Sequence, residues 1–194
     1  MELKKILENE LITFIKKSKI VDPTHDISHI RSVWRNARLL ASDDCDMEVL
    51  MAAVFLHDLG RFDKRSMSGP HGLSSAKHAE KILRKIGFPK NKINRVLEAI
   101  KYHDAVYPLS KRKTPEARVL FDADKLDVFG PFGIARHFMH QALCGFSLRH
   151  AVKDGLKSTL LQFRGLSTKK AKDIVKGDYI YSLNFFKRLL KKLK

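Results

Sequence analysis

Cysteines, long apolar runs and strand-like alternation are all scarce in this sequence. Only Cys45 and Cys144 occur among its 194 residues, which favours reduced thiols in a cytoplasmic protein over a disulfide framework. No run of about 18 apolar residues is present, so the sequence predicts no transmembrane segment. The opening stretch, MELKKILENELITFIKK, is charged and helically periodic. We therefore expect a first helix there rather than a signal peptide.

Acidic residues are also few in comparison with basic ones. The chain has 21 Asp and Glu against 38 Lys and Arg, a formal net charge of +17. Residues 151–194 alone hold twelve basic and three acidic residues. Such a surface attracts polyanions, including nucleotides, nucleic acid and anionic lipid. A solvated, Lys-rich helical face would have the same composition, so the charge by itself identifies no partner.

Apolar residues recur at helical spacing along nearly the whole chain, which predicts an all-α fold. The segment DMEVLMAAVFL is apolar on almost every side, as is typical of a central buried helix. Polar segments at 61–72 and 105–113 are predicted loops. No linker divides the chain, so we expect one domain over residues 1–194. The predicted helices are a first amphipathic helix near the N-terminus, then 27–41, 46–56, 74–86, 90–102, 114–128, 132–143, 147–163 and 168–192.

Three His-Asp dipeptides occur, and His57-Asp58 has the most informative surroundings because it ends the most apolar predicted helix. An imidazole and a carboxylate at the rim of a buried helix are costly unless other groups satisfy them. A divalent cation would do so, since both groups are ligands for Mn, Fe, Zn or Ni. Local hydrogen bonds at the end of the helix are the alternative.

Two further residues are positioned to complete a metal site. His29 lies in the amphipathic segment 27–41, and Asp124 lies in FDADKLD among apolar neighbours. With His57 and Asp58 they would supply two nitrogen and two oxygen ligands and leave positions open for water and substrate. Hydrolysis requires this arrangement, because the ion activates water and polarises a phosphoryl oxygen.

Four sequence blocks, in this order, resemble the HD-domain superfamily of metal-dependent phosphohydrolases. They are DPTHDISHIRSVWRNA (22–37), VFLHDLGRFDK (54–64), HGLSSAKHAEKIL (71–83) and VLFDADKLDVFGPFGIAR (119–136). The resemblance covers about residues 22–140 and is closest to small stand-alone proteins proposed as nucleotide pyrophosphohydrolases. The basic C-terminal helices, 147–194, lie outside this motif-bearing core.

The resemblance implies a helical HD-domain fold, with one divalent ion (Mn, Mg, Fe, Ni or Co) held in the site by His29, His57, Asp58 and Asp124. It also implies cleavage of a phosphoanhydride bond in a (deoxy)nucleoside triphosphate, with Asp58 central to catalysis. Other branches of the superfamily hydrolyse cyclic nucleotides or nucleoside monophosphates, and these activities are the alternatives.

Cationic residues flank the proposed ligands. Arg61 and Lys64 follow the His-Asp pair and could neutralise charge on a transferring phosphoryl group. Lys125 stands where the relatives commonly have Arg, which keeps the charge but loses a bidentate contact. Arg136 is a candidate phosphate clamp or a structural ion-pair partner.

His71 and His103 border predicted loops beside the site. In binuclear branches of the superfamily, histidines in comparable regions complete a second metal site. For this chain, contact with substrate phosphate or positioning of water is the interpretation we favour. His103-Asp104 departs from the His-Ser expected in close relatives, which leaves its role open.

The other histidines are expected to support the site or to lie away from it. Asp26 could cap the helix that carries His29, and His25-Asp26 is expected to support the ligands rather than bind metal. The remaining histidines have no motif around them and are expected at the surface or in the core: His78, His137, His140 and His150.

Non-catalytic alternatives come from the basic C-terminal region. It could bind nucleic acid, but no nucleic-acid-binding motif is visible and aromatics do not alternate with the basic positions. Residues 180–194, IYSLNFFKRLLKKLK, combine an apolar stripe with Lys and Arg, as a membrane-surface helix does. A terminal helix packed on the domain, or a contact in a homo-oligomer, would give the same pattern.

Overall fold

A computed structural model describes residues 2–63 and 70–193 of the chain. These residues form nine α-helices and no strand, so the predicted all-α fold is confirmed. No helix among them is long and apolar enough to cross a membrane. The helices are α1 (Glu2–Ser18), α2 (Ile27–Leu40), α3 (Met47–Leu56), α4 (Gly72–Lys85), α5 (Lys90–Lys101), α6 (Pro115–Lys125), α7 (Gly130–Leu143), α8 (Leu148–Gly165) and α9 (Lys169–Lys192). Short 3-10 helices lie at Leu59–Phe62, Leu109–Lys111 and Leu126–Val128.

Side-chain caps fix the start of several helices. Asp26 accepts hydrogen bonds from the backbone N–H groups of Ser28 and His29 and so caps α2, as its position predicted. Thr114 caps α6, with proline in the first turn. Further capping side chains begin three other helices: Asp46 for α3, Ser147 for α8 and Thr168 for α9.

The α3 helix is the centre of the main core, as its uniform hydrophobicity predicted. It packs against α1, α2, α5 and α6. Its residues Val49, Leu50 and 52–56 are completely buried. Because α3 is enclosed on all sides, the polar pair at its C-terminal end lies inside the protein rather than on its surface.

A second apolar cluster joins the three C-terminal helices. Ile134 of α7, Val152 of α8 and Phe186 of α9 are buried against one another. The last turns of α9 also pack on this cluster, so the apolar stripe predicted in 180–194 faces the protein itself. A Cβ atom at Gly155 would lie 2.3 Å from the Phe186 ring, and the contact therefore requires glycine at this position.

Two helices begin two residues earlier than predicted, because residues that were expected in the preceding loops belong to their first turns. The predicted loop at 61–72 begins inside the 3-10 helix Leu59–Phe62, and α4 begins at Gly72 rather than 74. The α6 helix ends at Lys125, and α7 begins at Gly130 rather than 132. Gly130 has a φ of 75°, which glycine adopts readily, and the proline after it lies in the first turn of α7, where a missing N–H costs little.

Candidate metal centre

Three helices bring together the four side chains that the sequence singled out. His29 lies in the first turn of α2, His57 and Asp58 follow the last residue of α3, and Asp124 lies in the last turn of α6. The α2, α3 and α6 helices pack against one another. All four side chains are buried.

His29, His57 and Asp58 form a compact group. Asp58 Oδ2 lies 3.4 Å from His29 Nε2 and 3.2 Å from His57 Nε2. The three ligand atoms lie within 4.8 Å of one another, close enough to hold a single ion. Asp124 lies beside this group, with its Oδ1 atom 3.4 Å from His29 Nε2. Its other oxygen pairs with Lys125.

The hydrogen bond of His57 indicates that the group of His29, His57 and Asp58 suits a cation. His57 Nδ1 lies 2.8 Å from the Val54 carbonyl oxygen, and because a carbonyl only accepts, Nδ1 carries the proton. In the neutral ring the lone pair is then on Nε2, which faces a carboxylate oxygen of Asp58. Within the described residues, neither of these atoms nor His29 Nε2 has a hydrogen-bond partner. A divalent ion fits this convergence of buried lone pairs.

The electrostatics of the group agree with this interpretation. Burial lowers the pKa of His57, but the carboxylates of Asp58 and Asp124 outweigh burial and raise it to about 8. Burial raises the pKa of Asp58, yet the neighbouring histidines, His57 first among them, hold it well below its ordinary value. A proton on His57 and a metal ion would therefore compete for the same lone pair.

The other oxygen of Asp58 contacts a second pair of histidines. Asp58 Oδ1 lies 2.7 Å from His71 Nε2, which in turn lies 2.9 Å from His103 Nε2. These three residues are a second buried group that could hold an ion. The histidines predicted to contact phosphate or water therefore lie where they could serve as ligands. This geometry favours the second-metal alternative.

Asp104 supports this second group. Its Oδ1 lies 3.1 Å from His71 Nδ1, and its Oδ2 accepts a hydrogen bond of 2.9 Å from the backbone N–H of Gly72. His103 Nδ1 donates to the Ile100 carbonyl oxygen at 2.5 Å. The sequence left the role of the His103-Asp104 pair open. In the structure Asp104 contacts His71, and His103 lies near Asp58.

A cavity of about 270 Å³ lies beside the two groups, between the HD motif and the α7 and α8 helices. Arg61, Lys125 and Arg136 line it. Arg136 Nη2 also donates to the Thr24 carbonyl oxygen at 2.5 Å, and it forms no ion pair with the other described residues. Lys64 lies outside the described residues.

Some residues of the cavity carried no signal in the sequence. His140, which was expected at the surface or in the core, lines the cavity with its ring centroid 5.5 Å from that of His25. His25 Nδ1 lies 2.7 Å from Asp22 Oδ2, and these three residues form a further group of potential ligands. His140 lies in α7, and the contact of α7 with the loop before α2, where Arg136 meets the Thr24 carbonyl oxygen, brings it to the site.

Solved structures share this fold over nearly the whole chain. A predicted HD-superfamily hydrolase from an uncultured Thermotogales bacterium is 25% identical, with a TM-score of 0.61 over 96% of this chain and 92% of that one. A Lactobacillus plantarum protein is 17% identical, with a TM-score of 0.79 over 100% and 97%. Bacillus subtilis YpgQ, solved in complex with ADP, is 22% identical, with a TM-score of 0.68 over 94% and 97%. At these identities, the Lactobacillus plantarum and Bacillus subtilis structures are evidence of a shared fold and not of a shared activity.

Sequence comparison locates the family signature in the part of the chain that holds both histidine groups. No curated protein matches the chain. The HD domain family matches residues 26–128, just over half of the chain. This segment contains His29, His57-Asp58 and Asp124 in the order that the four sequence blocks predicted. The chain therefore belongs to the HD domain family, and it is a metal-dependent hydrolase.

Proposed function

We propose that this hydrolase cleaves a phosphoanhydride bond of a nucleotide, with (deoxy)nucleoside triphosphates as the substrate class. We further propose His29, His57, Asp58 and Asp124 as the residues that hold its divalent ion. In residues 2–63 and 70–193, buried ligand atoms without hydrogen-bond partners surround Asp58 Oδ2, next to a cavity lined by cationic side chains, and this arrangement carries the proposal. The ADP in the YpgQ complex supports a nucleotide over other phosphorylated compounds.

The bound ion would supply an activated water and polarise a phosphoryl oxygen. The chain's own residues would bind the substrate phosphates and exclude bulk water. Arg61 and Lys125 line the cavity next to Asp58 and Asp124, where their positive charges can neutralise phosphate oxygens and the charge that develops during transfer. The burial of Asp58 and both flanking histidines keeps bulk water from screening these interactions.

His71 and His103 would extend the centre. With Asp58 Oδ1 they form a ligand set that shares one carboxylate with the first set. We propose that His71, His103 and Asp58 Oδ1 would hold a second ion. In two-ion sites of this kind, both the attacking and the leaving oxygen can be stabilised.

The test is a nucleotide panel assayed with protein stripped by EDTA and then supplied with Mn²⁺, Mg²⁺, Ni²⁺ or Co²⁺. Triphosphates, monophosphates and cyclic dinucleotides are compared, and the products are resolved as phosphate, pyrophosphate or triphosphate. We expect metal-dependent release of phosphate or pyrophosphate from a triphosphate. Release of inorganic triphosphate would indicate cleavage of an ester bond instead, and no hydrolysis of any nucleotide with any ion would contradict the proposal.

A nucleic-acid partner is a second candidate, favoured by the basic face of α9. Lys187, Arg188, Lys191 and Lys192 are all exposed there. Binding through such contacts should weaken steeply as salt rises. Failure to bind any oligonucleotide at low salt would exclude it.

We also propose a cytoplasmic location, since both cysteines are free thiols.

A further inference from the structure

The α7–α8 side of the cavity contains a buried amide oxygen that no donor in the described part of the chain satisfies. Gln141 of α7 lines the cavity and is 7% exposed. Its Nε2 donates to Asp154 Oδ2 of α8 at 3.1 Å. None of the donors in residues 2–63 and 70–193 reaches its Oε1 atom.

The chemistry of Asp154 fixes which way this amide points. A carboxylate only accepts hydrogen bonds, so the NH₂ group of Gln141 must face it. A flipped amide would place oxygen against oxygen. Oε1 is therefore the atom turned away from Asp154, and it is an acceptor that no donor among the described residues reaches.

A second amide repeats the pattern on the same face of α8. Asp154, Ser158 and Gln162 follow one another at four-residue spacing, which places them in one row along the helix. Gln162 Nε2 lies 2.5 Å from Ser158 Oγ, while within the described residues its buried Oε1 has no partner. All three residues line the cavity. We call Gln141, Asp154, Ser158 and Gln162 the amide wall.

The amide wall and the metal centre would differ in charge once an ion is bound. On the metal side the cavity is lined by Arg61 and Lys125 together with Asp58, Asp124 and Asp127, and the proposed divalent ion would make this side net positive. The amide wall offers a carboxylate and two amide oxygens. Phosphate groups are attracted to the first side and repelled by the second. A nucleotide would therefore enter with its phosphates toward Asp58 and its nucleoside toward α7 and α8.

We propose that the amide wall is the nucleoside-recognition subsite, and that Gln141 Oε1 accepts a hydrogen bond from an N–H or O–H group of the substrate. Buried acceptors are rarely left unpaired in proteins, and the few polar groups of a pocket usually set its specificity. The donor is an amino group of the base or a hydroxyl of the sugar. The subsite lies beyond the segment that matches the HD domain family, and the inference rests on the proposed nucleotide substrate.

Two kinds of measurement test the subsite. With Mn²⁺, kcat/KM is compared for ATP against inosine triphosphate, which has an exocyclic carbonyl oxygen at C6 in place of the amino group. It is also compared for ATP against its 2′-deoxy and 3′-deoxy analogues. Ligand-observed NMR compares the binding of adenosine with that of inosine and of the two deoxyadenosines. The nucleosides need no turnover, so this second readout still tests the subsite if hydrolysis of nucleotides fails.

We expect the wild-type protein to favour the donor-bearing compound in at least one pair by about tenfold to a hundredfold, the usual effect of an unpaired buried acceptor. Gln141→Leu should remove that preference. The double variant Gln141→Glu with Asp154→Asn exchanges the amide and the carboxylate, so it keeps both the contact between them and an acceptor toward the cavity. It should restore the preference, and Asn91→Leu, an exposed amide change on α5, should leave it intact.

Three results would overturn the inference. The wild-type protein could show no preference in any pair, or Gln141→Leu could keep the wild-type preference. The double variant could also fail to restore the preference while it folds with the wild-type circular dichroism spectrum, which would show that an acceptor at position 141 does not recognise the substrate.

Discussion

Asp58 and His71 are in direct contact, with Oδ1 of the carboxylate 2.7 Å from Nε2 of the imidazole. The other oxygen of Asp58 faces His29 and His57. One carboxylate at the end of the central helix is therefore shared by two groups of histidines. Each group is buried and compact, so two neighbouring groups of side chains could each hold an ion.

The shared carboxylate predicts the metal content of the protein. We expect two Mn²⁺ ions per chain in the wild-type protein and one in His71→Ala, whose first group is intact. Turnover of the best nucleotide should fall about a hundredfold, since one of two ions is lost. Elemental analysis after removal of free metal gives the content directly. The exposed His150 provides the control His150→Ala, and an unchanged metal content in His71→Ala would contradict the second site.

Asp104 should matter although it touches none of the candidate ligands of the first group. It lies against His71 Nδ1 on one side and accepts a hydrogen bond from the backbone N–H of Gly72 on the other. Groups that orient a ligand in this way typically change metal affinity or activity by about 10- to 100-fold when they are removed. We expect a loss of this size in Asp104→Ala, measured as Mn²⁺ affinity and kcat/KM. Asp104→Asn keeps an oxygen for Gly72 and should lose less; equal losses would argue against this role.

Metal affinity should depend on pH through His57. The pKa of this residue is raised to about 8 in the metal-free protein, so its Nε2 is protonated below that pH and free above it. An ion must displace the proton, and Mn²⁺ affinity should therefore fall by about tenfold per pH unit below 8. Calorimetric titrations at several pH values measure this. The same affinity at pH 6.5 and 8.5 would contradict it.

The same proton changes the stability of the metal-free protein in the opposite direction. Since the folded pKa of His57 lies above its ordinary value of 6.5, the protonated residue stabilises the fold fully below pH 6.5. This stabilisation is lost as pH rises through 8. Urea denaturation in EDTA should show the loss for the wild-type protein and not for His57→Ala.

Asp46 should contribute to stability without affecting the site. It caps α3 and pairs with Lys92 at 2.8 Å. Asp46→Ala should lower the free energy of unfolding by about 1 kcal/mol, as loss of a helix cap does.

Burial raises the pKa of Asp46, but Lys92 and the backbone N–H groups lower it below its usual value. Its contribution should thus be present above about pH 4 and fall away at lower pH. Urea denaturation measures it, with the exposed Asp43→Ala as control; equal effects of both changes would contradict the cap's role.

The parts of the fold that sequence predicted well are those set by local pattern. The hydrophobicity of residues 46–56 identified the central helix, and Asp26 and Thr114 were recognised as helix caps. His29 and Asp58 were singled out because their surroundings match a family pattern. Each of these signals lies within a short stretch of chain.

The parts that sequence missed depend on contacts between distant segments. Asp104 meets the site only because α4 packs on α5. The orientation of the Gln141 amide depends on its contact with Asp154. Arg112 is completely buried, where it donates to the carbonyl oxygens of Tyr102, Tyr107 and Gly165. Nothing in the sequence around these residues indicates their partners.

We expect hydrolysis to require an ion held at Asp58. Nucleotide turnover by EDTA-stripped protein is measured during back-titration with Mn²⁺, for the wild-type protein and Asp58→Ala. Circular dichroism shows whether both are helical. We predict that wild-type turnover rises with bound Mn²⁺, and that the variant is slower by about a thousandfold at every concentration. Wild-type rates in EDTA, or in folded Asp58→Ala, would contradict it.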